Sequence, residues 1–106
     1  MAEPHVHVTQ WTVSVLPLDH VEHGHFSITV EWRGSDRWAV TRFRECLDID
    51  GVWDFEPSPL NRADDWLETH RFTMDEALEL AKREAPHLTV NGFTVADVLG
   101  EVTDDT

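Results

Sequence analysis

Apolar and polar side chains alternate through much of the first half of the chain, and that alternation predicts strands. Trp11, Val13 and Val15 alternate with Thr12 and Ser14, while Phe26, Ile28, Val30 and Trp32 alternate with Ser27, Thr29 and Glu31. A period of two puts each apolar set on one face of a sheet. With Pro17 to Gly24 as the connection, an antiparallel register that sets Val15 opposite Phe26 also pairs Val13 with Ile28 and Trp11 with Val30. A loop at Gly34-Ser35-Asp36 sets Trp32 opposite Trp38 and Val30 opposite Val40. The phase then breaks. Arg42 and Arg44 fall in step with Trp38 and Val40, whereas Phe43, Leu47 and Ile49 fall out of step, so a bulge or bend is expected between Val40 and Phe43. A turn at Asp50-Gly51-Val52 would bring Ile49 opposite Trp53 and Leu47 opposite Phe55, and Pro57 ends the sheet because it supplies no ladder donor.

The second half changes period. Either Ser58 with Pro59 behind it, or Asn61 with Asp64 three residues on, opens a short helix with Leu60, Ala63, Trp66 and Leu67 on one face. Thr73 followed by Glu76 is a capping-box pattern, and Met74, Ala77, Leu78, Ala81 and Ala85 form a helical stripe that stops at Pro86. A short extended piece from Leu88 to Val90, a turn at Asn91-Gly92, and a last helical turn capped by Thr94 complete the pattern. The fold class predicted is α+β: an antiparallel four- to five-stranded meander packed on one main helix, 74–85, with short flanking helices. Residues 1–106 make one domain, with 1–4 and 101–106 expected to fray.

Charge alters this plain picture more than composition does. Twenty-one acidic side chains against 8 basic ones give the 106-residue chain a net charge of −13. Each phosphate contact needs a cation that is scarce here, so neither nucleic acid nor an anionic membrane is expected as a direct partner. No run approaches the roughly 18 apolar residues that span a bilayer. The single cysteine, Cys46, rules out an intrachain disulfide and suits a reducing cytoplasm. The charge is also unevenly spread. Residues 33–44 hold four arginines against Asp36, a net +3, whereas residues 45–79 hold eleven acids against Arg62 and Arg71, a net −9.

Several phrases are distinctive: Asp50-Gly51-Val52-Trp53-Asp54-Phe55-Glu56-Pro57, Trp66-Leu67-Glu68-Thr69-His70-Arg71-Phe72, Asp75-Glu76-Ala77-Leu78 and Thr89-Val90-Asn91-Gly92. In these, over roughly residues 11 to 99, the chain resembles a group of small acidic proteins of actinobacteria and their phages. The resemblance implies a cytoplasmic accessory protein, phage-borne, and brings no catalytic motif or cofactor with it.

Candidate chemistry is sparse. His20, His23 and His25, with Asp19 and Glu22 between them, are the candidate metal ligands; exposed loop histidines are the simpler reading, and His5 and His7 lie too far along the strands to join them. Asp64-Asp65 and Asp75-Glu76 sit in first turns of helices, where the dipole favours negative charge. Cys46 has no histidine near it in sequence and reads as a buried structural thiol. No enzyme activity and no cofactor are therefore expected. The function expected is binding of another protein, with Arg33, Arg37, Arg42 and Arg44 on one side and Asp64, Asp65 and Glu68 on the other as candidate surfaces. A homo-oligomer stays open. The alternative is an acidic DNA-mimic inhibitor of a nucleic-acid-binding protein. Trp11, Trp32, Trp38 and Trp53 fit the inner face, but Phe43, Trp53 or Phe55 could instead form an aromatic patch rimmed by arginines.

Overall fold

The computed structural model describes residues 2–58 and 63–100, and these form an α+β fold. Five antiparallel strands lie side by side in chain order: β1 (Gln10–Ser14), β2 (Ser27–Trp32), β3 (Trp38–Arg42), β4 (Glu45–Leu47) and β5 (Trp53–Phe55). Then come α1 (Asp64–His70) and α2 (Met74–Glu84), the latter prolonged by a 3-10 turn over Ala85–His87. Strands β6 (Thr89–Val90) and β7 (Phe93–Thr94) form a second small sheet, and α3 (Val95–Leu99) follows. The expected openers Pro59 and Asn61, the stripe residue Leu60 and the tail 101–106 lie outside the described residues.

The first two registers follow the alternation. Trp11 faces Val30, Val13 faces Ile28, Val30 faces Val40 and Trp32 faces Trp38. Val15 does not continue the ladder. The Ser14 hydroxyl donates to the Phe26 carbonyl at 2.8 Å and accepts from the Leu16 amide at 3.1 Å, which ends β1 and turns Leu16 inward while Val15 is exposed. The phase break after Val40 is a chain reversal and not a bulge. Arg42 pairs with Glu45, so Phe43 and Arg44 form a two-residue turn, with Phe43 at φ 57°.

The last hairpin slips by two residues from the expected register: Leu47 faces Trp53, and Glu45 faces Phe55. Asp48 is the cause. Its Oδ1 accepts the Asp50 amide at 2.9 Å and the Val52 amide at 2.8 Å, and its own amide donates to the Val52 carbonyl, so the loop closes at Asp48 rather than at Asp50. Ile49 thereby leaves the ladder and lies exposed, with its amide bonded to the Thr69 carbonyl. A slip of two preserves face parity, so Leu47 remains fully buried.

The core lies between one face of the sheet and α2. Ile28, Val30 and Val40 are fully buried, as are Ala77 and Ala81 of the helix, with Trp38, Phe72 and Ala85 beside them. Burying each of the larger aliphatic side chains stabilises the fold by about 1.5–3 kcal/mol relative to exposing it. The Thr73 capping box forms in full: the Glu76 amide donates to Thr73 Oγ1 at 3.2 Å, and the Thr73 amide donates to Glu76 Oε1 at 3.0 Å. A second box, Thr94 with Asp97, starts α3. Asn91 and Gly92, at φ 52° and 83°, turn β6 into β7 with the two positive φ values of a type I′ hairpin.

Of the tryptophans, Trp38 alone is buried among the described residues. Trp11 and Trp32 have the inward parity but lie 39% and 47% exposed, and Trp32 Nε1 donates to the Ser35 carbonyl. Where β4 turns away, Phe72 takes its place beside β3, exchanging two backbone hydrogen bonds with Trp38.

Candidate functional site

The face of the sheet opposite α2 carries Ala39, Thr41 and Cys46, all buried. Period-two alternation places Glu31 on that face too, and a chain of ion pairs lies over it. Arg33 donates to Glu56 at 3.2 Å and stands 3.5 Å from Glu31, Arg71 donates to Glu56 at 2.8 Å, and Thr41 donates to Glu31 at 2.7 Å. Burial works to raise the Glu56 pKa, but hydrogen bonds and charge from Arg33 and Arg71 outweigh it and hold the carboxyl below its ordinary value. Burial works to lower the Arg33 pKa, yet Glu56 and Glu31 raise it overall. The Cys46 thiol beneath is pushed up to about 11, chiefly by burial and then by the Glu56 charge. It stays protonated at neutral pH, as expected of a structural thiol.

Next to this network, the last turn of α1 aims His70 at the sheet. Its ring stacks on Trp66 at 4.0 Å and 3°, and only 5% of its side chain is exposed. Nδ1 lies 2.7 Å from the Trp66 carbonyl, which can only accept, and 2.8 Å from the Thr69 hydroxyl, whose own hydrogen has the Asp65 and Trp66 carbonyls as acceptors; both contacts are met when Nδ1 carries the hydrogen. Nε2 points the other way, 3.1 Å from Asp54 Oδ2. The Ile49 amide to Thr69 carbonyl bond ties the 48–52 loop to the end of α1 and brings Asp48 alongside. One donor atom from each of Asp48, Asp54 and His70 lies within 4.8 Å of the others.

The residues singled out from sequence are distributed as follows. His20 Nδ1 accepts the Glu22 amide, His25 Nδ1 lies 3.0 Å from Glu22 Oε1, and His23 Nδ1 approaches the Ser27 hydroxyl. These three imidazoles do not form one donor set; among the described residues the convergent set is Asp48, Asp54 and His70. Arg33 is committed to Glu56 and Glu31. Arg37 lines a cleft of about 470 Å³ together with Asp64, Glu68, Glu76 and Arg71. The basic and acidic stretches thus meet in space at Arg33 and Arg37. Asp65 lies in the first turn of α1, where its Oδ1 accepts the Trp66 amide.

Arg42 and Arg44 flank the β3–β4 turn. The Arg42 guanidinium stacks 4.8 Å over the Phe43 ring, and its Nη2 donates to the His25 carbonyl at 3.0 Å. Its Nε is buried without a hydrogen-bond partner, and desolvation lowers its pKa against the opposing pull of Glu45. Phe43 is 71% exposed, and Phe55, opposite Glu45 across the last hairpin, is 65% exposed. Both stand at the same end of the sheet, since the Glu56 amide bonds the Arg44 carbonyl.

No protein-family model matches the chain, and no significant match exists among curated proteins or solved structures. Among the described residues no helix is long and apolar enough to cross a membrane.

Proposed function

We propose that this is a small non-enzymatic accessory protein of the cytoplasm, phage-borne as the resemblance implies, that binds another protein through the β3–β4 turn. The observation that carries the reading is Phe43. A bulky residue at positive φ is strained by roughly 1–2 kcal/mol, and here the strain holds an aromatic ring out in solvent, where it contributes little to the core. Phe55 is exposed at the same end of the sheet, and Arg42 and Arg44 flank the turn with positive charge on an otherwise acidic protein. Aromatic residues and arginine are the residue types that dominate interface energetics. A partner with an apolar pocket rimmed by carboxylates matches that chemistry. The DNA-mimic alternative draws on the net charge of −13, but Arg33 and Arg37 interrupt the acidic surface it needs.

A photo-crosslinking residue placed at position 43 tests this in host lysate. One partner should be captured at 43, not at a control position on Thr12, and lost when Phe55→Ser and Arg44→Ser are added. Asn tolerates positive φ, so Phe43→Asn should keep the fold and lose the partner. Equal capture at both positions, or none, would refute the assignment.

A further inference from the structure

The geometry points to a divalent transition-metal site formed by His70, Asp54 and Asp48, of the kind that takes Zn2+. The His70 tautomer carries the first step. With Nδ1–H donated to the Trp66 carbonyl, Nε2 offers a lone pair, and it faces the Asp54 carboxylate at 3.1 Å. Two lone pairs at that distance repel unless a positive charge stands between them. A ring N–H given to a backbone carbonyl, with the other nitrogen free, is also how metal-bound imidazoles are held in orientation.

Asp48 carries the second step. A proton on Nε2 would satisfy Asp54 alone, but a second carboxylate converges on the same point. Two carboxylates and one neutral imidazole bring a charge of −2, which a divalent ion cancels. Asp48 can ligate without giving up its structural work, because Oδ1 takes both amides of the loop and leaves Oδ2 for a cation.

The dimensions agree. Donors around a tetrahedral ion with bonds of about 2.0–2.1 Å stand roughly 3.4 Å apart. The His70–Asp54 separation is already there, and the spread of at most 4.8 Å closes with a small rotation of Asp54, whose side chain is 47% exposed. Mixed imidazole and carboxylate donors suit zinc and its first-row neighbours better than calcium or magnesium. Three protein ligands leave a fourth position towards solvent. The ion would join three segments, at the end of β4, in β5 and at the end of α1.

The test uses the full untagged chain, stripped of metal, at pH 7.5. Titration calorimetry with ZnCl2 should show one saturable site, and Co2+ should develop a visible absorption band while quenching Trp66, which stacks on a ligand. Asp48→Asn keeps the amide-accepting oxygen of the loop, and Asp54→Asn keeps the side-chain shape. Each should weaken Zn2+ binding by about tenfold or more with an unchanged circular dichroism spectrum. Replacing His5, His7, His20, His23 and His25 together by Asn should leave this site intact. Absence of saturable binding overturns the assignment. So does binding that survives both Asp48→Asn and Asp54→Asn, or binding that disappears with those five histidines. Phe43 and Phe55 take no part in any arm, so the outcome is independent of the proposed partner surface.

Discussion

Glu56→Gln should be among the most damaging conservative substitutions in the chain. Arg71 has 5% of its side chain exposed and donates to Glu56 at 2.8 Å, so removing the carboxylate charge strands a buried cation. Breaking a buried pair in this way costs about 3–5 kcal/mol. Gln retains one accepting oxygen, and Arg33, 25% exposed, adds only the roughly 0–1 kcal/mol of a screened pair. The net expectation is a loss of about 2–3 kcal/mol, or roughly 10 °C in Tm for a chain of this length. Because the folded pKa of Glu56 lies below its unfolded value of about 4.3, its contribution is complete above that value and lost as pH falls through the folded pKa. The gap between wild type and Glu56→Gln should therefore be widest at pH 7 and narrow below about pH 4. Thermal melts and urea titrations followed by tryptophan fluorescence at pH 7 and pH 3 measure both quantities. A Tm within 2 °C of wild type at pH 7, or an equal gap at the two pH values, refutes the network as a stabilising element.

Thr73→Ala removes one half of a complete capping box and should cost about 1 kcal/mol, read as an equal drop in urea-unfolding free energy; Thr73→Ser should restore most of it. Cys46 should resist alkylation by iodoacetamide at pH 8 in the folded protein and react promptly in urea, because its thiol titrates at about 11. Its folded pKa is raised above the unfolded value of about 8.5, so the stability it contributes is intact below that pH and lost as pH rises towards 11, which a Cys46→Ala comparison should reveal. Ala81→Leu adds volume where α2 meets β2 and β3 and should cost about 1–3 kcal/mol by overpacking, seen as a lower urea midpoint.

The strands that alternate cleanly were legible, and so were their partners. Phe26 to Trp32 offers only one face to a core, and the pairing of Trp11 with Val30 follows from that constraint together with the chain order. Caps were legible for the same reason: Thr73 and Glu76, or Thr94 and Asn91-Gly92, carry their geometry within a few residues. The last hairpin was not, because Asp48 decides it through a side-chain bond to the loop backbone, while Asp50-Gly51 carries the stronger turn signature. His70 went unnoticed in sequence since its partner Asp54 lies 16 positions away and nothing local couples them. Its one local signal was an aromatic residue four positions earlier on the same short helix, Trp66, which folding turns into a stacked ring. Arg33 looked available for a partner for a similar reason. Its carboxylate, Glu56, arrives from 23 positions downstream.

Strand order that repeats chain order also fixes the sequence of events during synthesis. A ribosome delivers all five strands before α2 exists to cover them, so Ile28, Val30 and Val40 must wait for Ala77 and Ala81. At roughly 5–20 residues per second that interval lasts a few seconds. During it the nascent sheet presents a bare aliphatic face. The acids of α1 emerge in that interval, just behind those of the last hairpin, and are therefore placed to keep neighbouring nascent chains apart until the helix docks.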